Sequence, residues 1–181
     1  MLSQQPEADA LLDRDPLALV IGMVLDQQIP LEKAFSSPYV LTERLGHVPD
    51  AAEIAGMDED TLVAIFTKPP ALHRFPGSMA KRVRDLVAHV AERYDGDAAR
   101  IWGDAQTPDQ LRANLEALPG FGPMKVIALA AVLAKRFGVA AAEPLVPDHP
   151  TLGDVDSHAA LAEYQAGKRA HKAALRAAKA G

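Results

Sequence analysis

The sequence predicts an all-α fold, and three observations carry that expectation. Aromatic residues make up only 5% of the 181-residue chain, while alanine and leucine fill most apolar positions; this composition favours helices over sheets. Apolar residues recur at helical spacing, and no stretch alternates apolar and polar as a half-buried strand would. Prolines and glycines fall between the periodic stretches and punctuate them.

A first helix is expected from Pro16, carrying Leu17, Val20, Ile21, Val24 and Leu25. Asp15 is placed to cap it, Pro16 fits the first helical position, and Pro30 stops it. Short helices follow over 39–45, 51–55 and 59–66, and Thr67-Lys68-Pro69-Pro70 forces a non-helical connection. From Ser78 to Tyr94, Met79, Val83, Leu86, Val87 and Val90 make a buried stripe, with Lys81, Arg82, Arg84 and Arg93 on other faces. A short helix is expected over 98–102, with Trp102 in the core. Thr107-Pro108 opens another, marked by Leu111, Leu115 and Leu118, and a last core helix runs over 124–137. The proline-bearing stretch 139–156 reads as an irregular loop. Residues 157–181 read as an alanine-rich helix, basic through Lys168, Arg169, Lys172, Arg176 and Lys179. One helical domain over 1–181 is the expected organisation.

Hydrophobic residues at 49% and charged residues at 24% suit a globular chain and exclude a disordered tail or a collagen-like fibre. The longest apolar run, Leu17 to Leu25, is far short of the roughly 20 residues a membrane span needs. Met1-Leu2-Ser3-Gln4-Gln5 lacks the basic-then-apolar pattern of a signal peptide, so a cytoplasmic protein with no membrane partner is expected. The absence of cysteine excludes disulfides, a thiol nucleophile, cysteine-ligated zinc and an iron–sulfur cluster. His73, His89, His149 and His158 form no i, i+4 metal pair, so no metal site is expected from them. With a net charge of −5, any nucleic-acid binding has to come from a local patch.

The most specific local signal is Leu118-Pro119-Gly120-Phe121-Gly122-Pro123, set between two amphipathic helices. Two glycines around one apolar residue let the chain turn sharply where helices cross closely, with Phe121 tucked inward to pin the turn. Amides of Gly120, Gly122 and the next helix then face outward, and such a terminus suits a phosphate. Lys125, one turn in, is placed to add a point charge.

With its continuation Met124-Lys125-Val126, this segment resembles the helix-hairpin-helix of the HhH-GPD superfamily of DNA glycosylases. The apolar helix ending Leu25-Asp26-Gln27-Gln28 is similar to that fold's opening helix and its DNA-facing turn. Arg74-Phe75-Pro76-Gly77-Ser78-Met79-Ala80-Lys81 is similar to a segment of a cysteine-free, uncharacterised actinobacterial branch. Order and spacing agree over 16–137. The resemblance implies a helix-hairpin-helix glycosylase fold and a base excision repair protein that binds damaged double-stranded DNA. Its reaction would be hydrolysis of the N-glycosidic bond of a flipped base.

By the same resemblance, Gly120, Phe121, Gly122 and Lys125 would anchor a phosphate, with a monovalent cation on hairpin carbonyls. Gln27 and Gln28 would face DNA, and Lys81, with Arg82 and Arg84, would touch phosphates. The position of the lysine nucleophile of bifunctional members falls on Met124, which implies a monofunctional hydrolase. The catalytic aspartate falls on Asp148, in Val146-Pro147-Asp148-His149, with Asp154 and Asp156 as alternatives. A carboxylate beside an oxocarbenium-like sugar is the chemistry such a reaction needs, and it calls for burial next to the hairpin. Two other classes stay open: a non-catalytic DNA-damage or DNA-structure binding module on the same scaffold, and a helical protein-interaction domain.

Overall fold

The computed structural model describes residues 2–180, leaving out the side chains of 171–172 and 175–180, so Lys172, Arg176 and Lys179 lie outside the described side chains. Regular structure is helical throughout, with no strand among the described residues. In order come α1 (Pro6–Arg14), α2 (Pro16–Leu25), α3 (Leu31–Leu45), α4 (Ala51–Gly56), α5 (Glu59–Thr67) and α6 (Pro76–Tyr94). Then follow α7 (Arg100–Gly103), α8 (Pro108–Glu116), α9 (Pro123–Phe137), 3₁₀ turns at Ala140–Leu145 and Leu152–Asp154, and α10 (His158–Ala180).

The element boundaries follow from local chemistry. Asp15 accepts a hydrogen bond from Leu17 N at 2.9 Å and caps α2, as its place before Pro16 implies. Asp50, Asp58 and Thr107 cap α4, α5 and α8 in the same way, each taking up an orphan amide of the first turn. Gly46 and Gly138 end α3 and α9 in the left-handed conformation. Trp102 is buried and its ring lies 6.5 Å from that of Phe137, in the core as expected.

In four places the structure departs from the pattern expected of the sequence. α1 precedes the first expected helix and buries Leu11 and Leu12 on α2 and α3. α3 starts at Leu31, not near Tyr39, and runs through Pro38. Proline there removes one backbone donor, and the hydroxyl of Ser37 meets Lys33 O at 2.7 Å and Leu72 O at 3.0 Å beside it. Helix is found at Arg100–Gly103 and not over 98–102. The stretch after α9 is not an irregular loop: its two 3₁₀ turns pack on α9, with Ala142 and Leu152 fully buried.

The core is organised on α2. Every residue from Leu17 to Leu25 is buried, which a helix apolar all round requires. α1, α3 and α6 enclose it. The α2–α3 crossing is close at Gly22, where an added Cβ would meet Phe35 Cδ1 at 2.7 Å. Phe35 is itself fully buried. Gly22→Ala is therefore expected to force the two helices apart and cost about 1–3 kcal/mol, read as a lower urea midpoint.

Candidate nucleic-acid interface

α2 ends inside the protein, so its last carbonyls need donors that the continuing helix no longer provides. Gly22 O takes Asp26 N at 3.1 Å, and Leu25 O takes Gln27 N at 2.7 Å. The Gln27 side chain folds back, Nε2 donating to Val24 O at 2.8 Å. The ammonium of Lys125, from the first turn of α9, donates to Met23 O and, at 2.8 Å, to Val24 O. His73 then fixes the following turn, donating from Nε2 to Gln27 O at 2.9 Å while Nδ1 accepts Phe75 N at 3.0 Å. That pair of bonds selects the neutral tautomer with the proton on Nε2.

The expected hairpin is present between α8 and α9. Gly120 adopts φ +83°, and an added Cβ would come within 2.7 Å of Val24 Cγ2. Phe121 is 9% exposed and its amide returns to Leu118 O at 3.1 Å. The turn is thus seated on the end of α2. Lys125 N and Val126 N both close on Gly122 O. The amides of Gly120, Gly122 and Met124 have no acceptor among the described residues, and Met124 beside them is 70% exposed.

Lys125 is a correction to the phosphate role expected of it. Its ammonium is turned inward on α2, where Met23 O has no other donor among the described residues and Val24 O is shared with Gln27. Burial there pulls its pKa down to about 8, against the opposing pull of the Asp26 carboxylate. Gln27 is likewise drawn back onto α2, leaving Oε1 for Arg82 Nη1 at 3.4 Å. Gln28 stands exposed at φ 57°, an uncommon conformation for a residue with a side chain. Lys81 is exposed on α6 with no acidic partner among the described residues. Arg84 is not free for phosphate: it reaches Ala55 O at 3.4 Å and Glu59 at 3.5 Å, tying α6 to α4 and α5.

Of the expected acids, none is buried next to the hairpin. Asp148 is exposed and makes no hydrogen bond among the described residues. It lines an open cavity of about 500 Å³ with Lys135, His149, Glu163 and Tyr164. Asp154 is structural: it accepts from Thr151 N and Oγ1 and pairs with Lys135 at 2.7 Å. Burial would raise its pKa, but those donors more than offset it and hold the carboxyl below its usual value. Asp156 is exposed, and Ser157, not Asp156, caps α10 through Ala160 N at 3.2 Å.

The acid buried beside the hairpin is one the sequence reading passed over. Asp26 sits at the end of α2 with its side chain 18% exposed, and Lys168 of α10 lies 3.9 Å away. It lines a cleft of about 370 Å³ between the α2–α3 turn and α10, shared with Ile29, Glu32, Tyr164, Lys168 and Arg169. Burial first, and then the Asp26 charge, push the Tyr164 phenol up to about 12. A signal was present in the sequence. A carboxylate directly after an apolar helix faces the negative end of its dipole, and nothing local compensates it.

No protein-family model, curated protein or solved structure matches the chain. Among the described residues no three of histidine, cysteine, aspartate and glutamate come together as a metal site, and no helix is long and apolar enough to cross a membrane.

Two outcomes test this arrangement. Lys125→Met leaves the buried Met23 carbonyl without a donor, while Val24 O keeps Gln27 Nε2, and is expected to cost about 1–3 kcal/mol, measured by urea unfolding. Burial lowers the pKa of His73 from the ordinary 6.5, Gln27 and Leu25 opposing the shift. A lowered folded value means the unfolded chain binds the proton first. Stability is therefore complete above about pH 6.5 and is lost as pH falls toward the lowered value. His73→Gln is expected to lower the urea midpoint at pH 7.5 and to shrink the fall between pH 7.5 and 5.5.

Proposed function

We propose that this chain is a DNA glycosylase-like base excision repair protein, binding damaged duplex DNA at the Gly120–Gly122 hairpin and hydrolysing the N-glycosidic bond of a flipped base. The observation that carries the reading is the hairpin: a left-handed Gly120 seated on Val24, Phe121 turned inward, and three uncommitted amides at Gly120, Gly122 and Met124. Amides at the start of a helix suit a backbone phosphate through both donor geometry and dipole. They need no net positive charge, which this chain lacks.

Exposed Lys81 and Arg82 on α6 would contribute phosphate contacts, and Gln28 would meet the duplex. A monovalent cation at the hairpin, implied by the family resemblance, would take the carbonyls of Pro119, Gly120 and Phe121, which accept no hydrogen bond among the described residues. Asp148 is the carboxylate that the resemblance assigns to the chemistry. Its exposure favours a second reading, a binding module that recognises damaged or distorted DNA without cleaving it.

Duplex DNA carrying a neutral abasic analogue is expected to bind more tightly than intact duplex, with affinity falling steeply between 50 and 200 mM salt. Gly120→Ala is expected to weaken that binding about tenfold by moving the amides off Val24. Single-turnover base release from duplexes holding alkylated, deaminated and oxidised bases separates the two readings: release that Asp148→Asn abolishes supports the glycosylase, and binding without release supports the module. Absence of binding to any duplex removes both.

A further inference from the structure

We propose that the cleft between the α2–α3 turn and α10 is a site for a cationic sugar ring, with the Asp26 carboxylate as its counter-charge. This rests on the glycosylase reading and moves the carboxylate of that reading from Asp148 to Asp26.

Four observations converge on the cleft. Asp26 is the acid next to the hairpin, one residue beyond the helix on which Gly120 and Lys125 sit. Its side chain is mostly buried, so water screens its charge little. Its one ion-pair partner among the described residues, Lys168, is distant at 3.9 Å and half exposed, so an incoming cation can displace it. Glu32 Oε2, in the same lining, is buried with no hydrogen-bond partner among the described residues, an acceptor that a ligand hydroxyl would satisfy.

The dimensions agree as well. A cleft of about 370 Å³, with Ile29 and the Tyr164 ring among its walls, has room for a nucleoside-sized group. Asp148 offers none of this, standing in solvent on the other side of Tyr164, in the cavity that also borders that ring.

In the reaction, the C1′–N bond breaks and its electron pair leaves with the base, so positive charge develops on the sugar. Asp26 stabilises that charge. Water then adds at C1′ and passes its proton to the Asp26 carboxylate, from which it is returned to the departed base. No oxidant, reductant or further reactant is needed, and the field of a fixed buried carboxylate acts where the charge appears.

The test compares the full chain's affinity for duplex DNA containing a cationic pyrrolidine abasic mimic with its affinity for the same duplex containing the neutral furan analogue. The wild-type protein is expected to prefer the cationic duplex by about tenfold or more. Asp26→Asn should bring the two affinities together while keeping the neutral duplex bound and the fold intact by circular dichroism. Lys168→Ala should widen the preference, because it removes the competing cation, and it serves if Asp26→Asn does not fold.

Equal affinities in the wild type, or a preference lost with Asp148→Asn and kept with Asp26→Asn, overturn the proposal while leaving DNA binding in place. A second arm uses no DNA: the free cationic pyrrolidine sugar mimic, titrated at millimolar concentration, should shift the amide resonances of Asp26 and Ile29. Shifts there without any duplex binding would sink the DNA reading and keep the cleft. No shifts and no preference would sink the cleft.

Discussion

The constraint on which this structure turns is the burial of α2 along its whole length. A helix enclosed by apolar side chains gains their burial, but its carbonyl end has no water to turn to. Each unmet carbonyl would cost about 1–3 kcal/mol, so donors have to be brought from elsewhere in the chain. Gln27 brings two from the next turn, and Lys125 brings its ammonium from 102 residues away. The hairpin lies against Val24 through Gly120, which supplies the absence of a side chain, and through Lys125 in the first turn of α9, which supplies charge. Packing and polar satisfaction thus select the same geometry.

The same helix end sets up an electrostatic conflict. Asp26 is held where the α2 dipole is negative, and the Lys125 ammonium answers both the dipole and the carboxylate. Lys125 in turn is short of water, which is why its proton is held less firmly than that of an ordinary lysine. An acid at the carbonyl end of a buried helix, next to a buried amine and the Tyr164 phenol, is an arrangement packing alone does not call for. A neutral side chain at position 26 would remove the conflict without opening the core.

Much of the helical architecture was legible in the sequence because the relevant signals are local. Asp15-Pro16 specifies a helix start by capping geometry, Gly120-Phe121-Gly122 specifies a tight turn by its two small residues, and the stripe of α6 shows in its spacing. α1 was less legible because Pro6-Glu7-Ala8-Asp9 puts two acids among few apolar residues, and its Asp9 is buried against Ser3 N by a turn that spacing does not reveal. α3 hides behind Pro38, which ordinarily signals an end but stands inside the helix here.

The site was half legible: a motif shows where a backbone turns but not which way a long side chain points. Lys125 and Gln27 both had unmet carbonyls closer at hand than any ligand. Asp26 could be weighed properly only once α10 had closed over it.

The bond between Lys125 and α2 also bears on which pieces of this chain can stand alone. A fragment ending before α9 would keep α2 and the helices around it, yet it would leave the Met23 carbonyl without its donor and Val24 O with Gln27 alone. A fragment beginning at α8 would keep the hairpin but lose the surface on which Gly120 rests. Each half therefore lacks a contact that the other supplies. The most buried helix is finished only after residue 125 is in place, because the residue that closes it arrives with the hairpin.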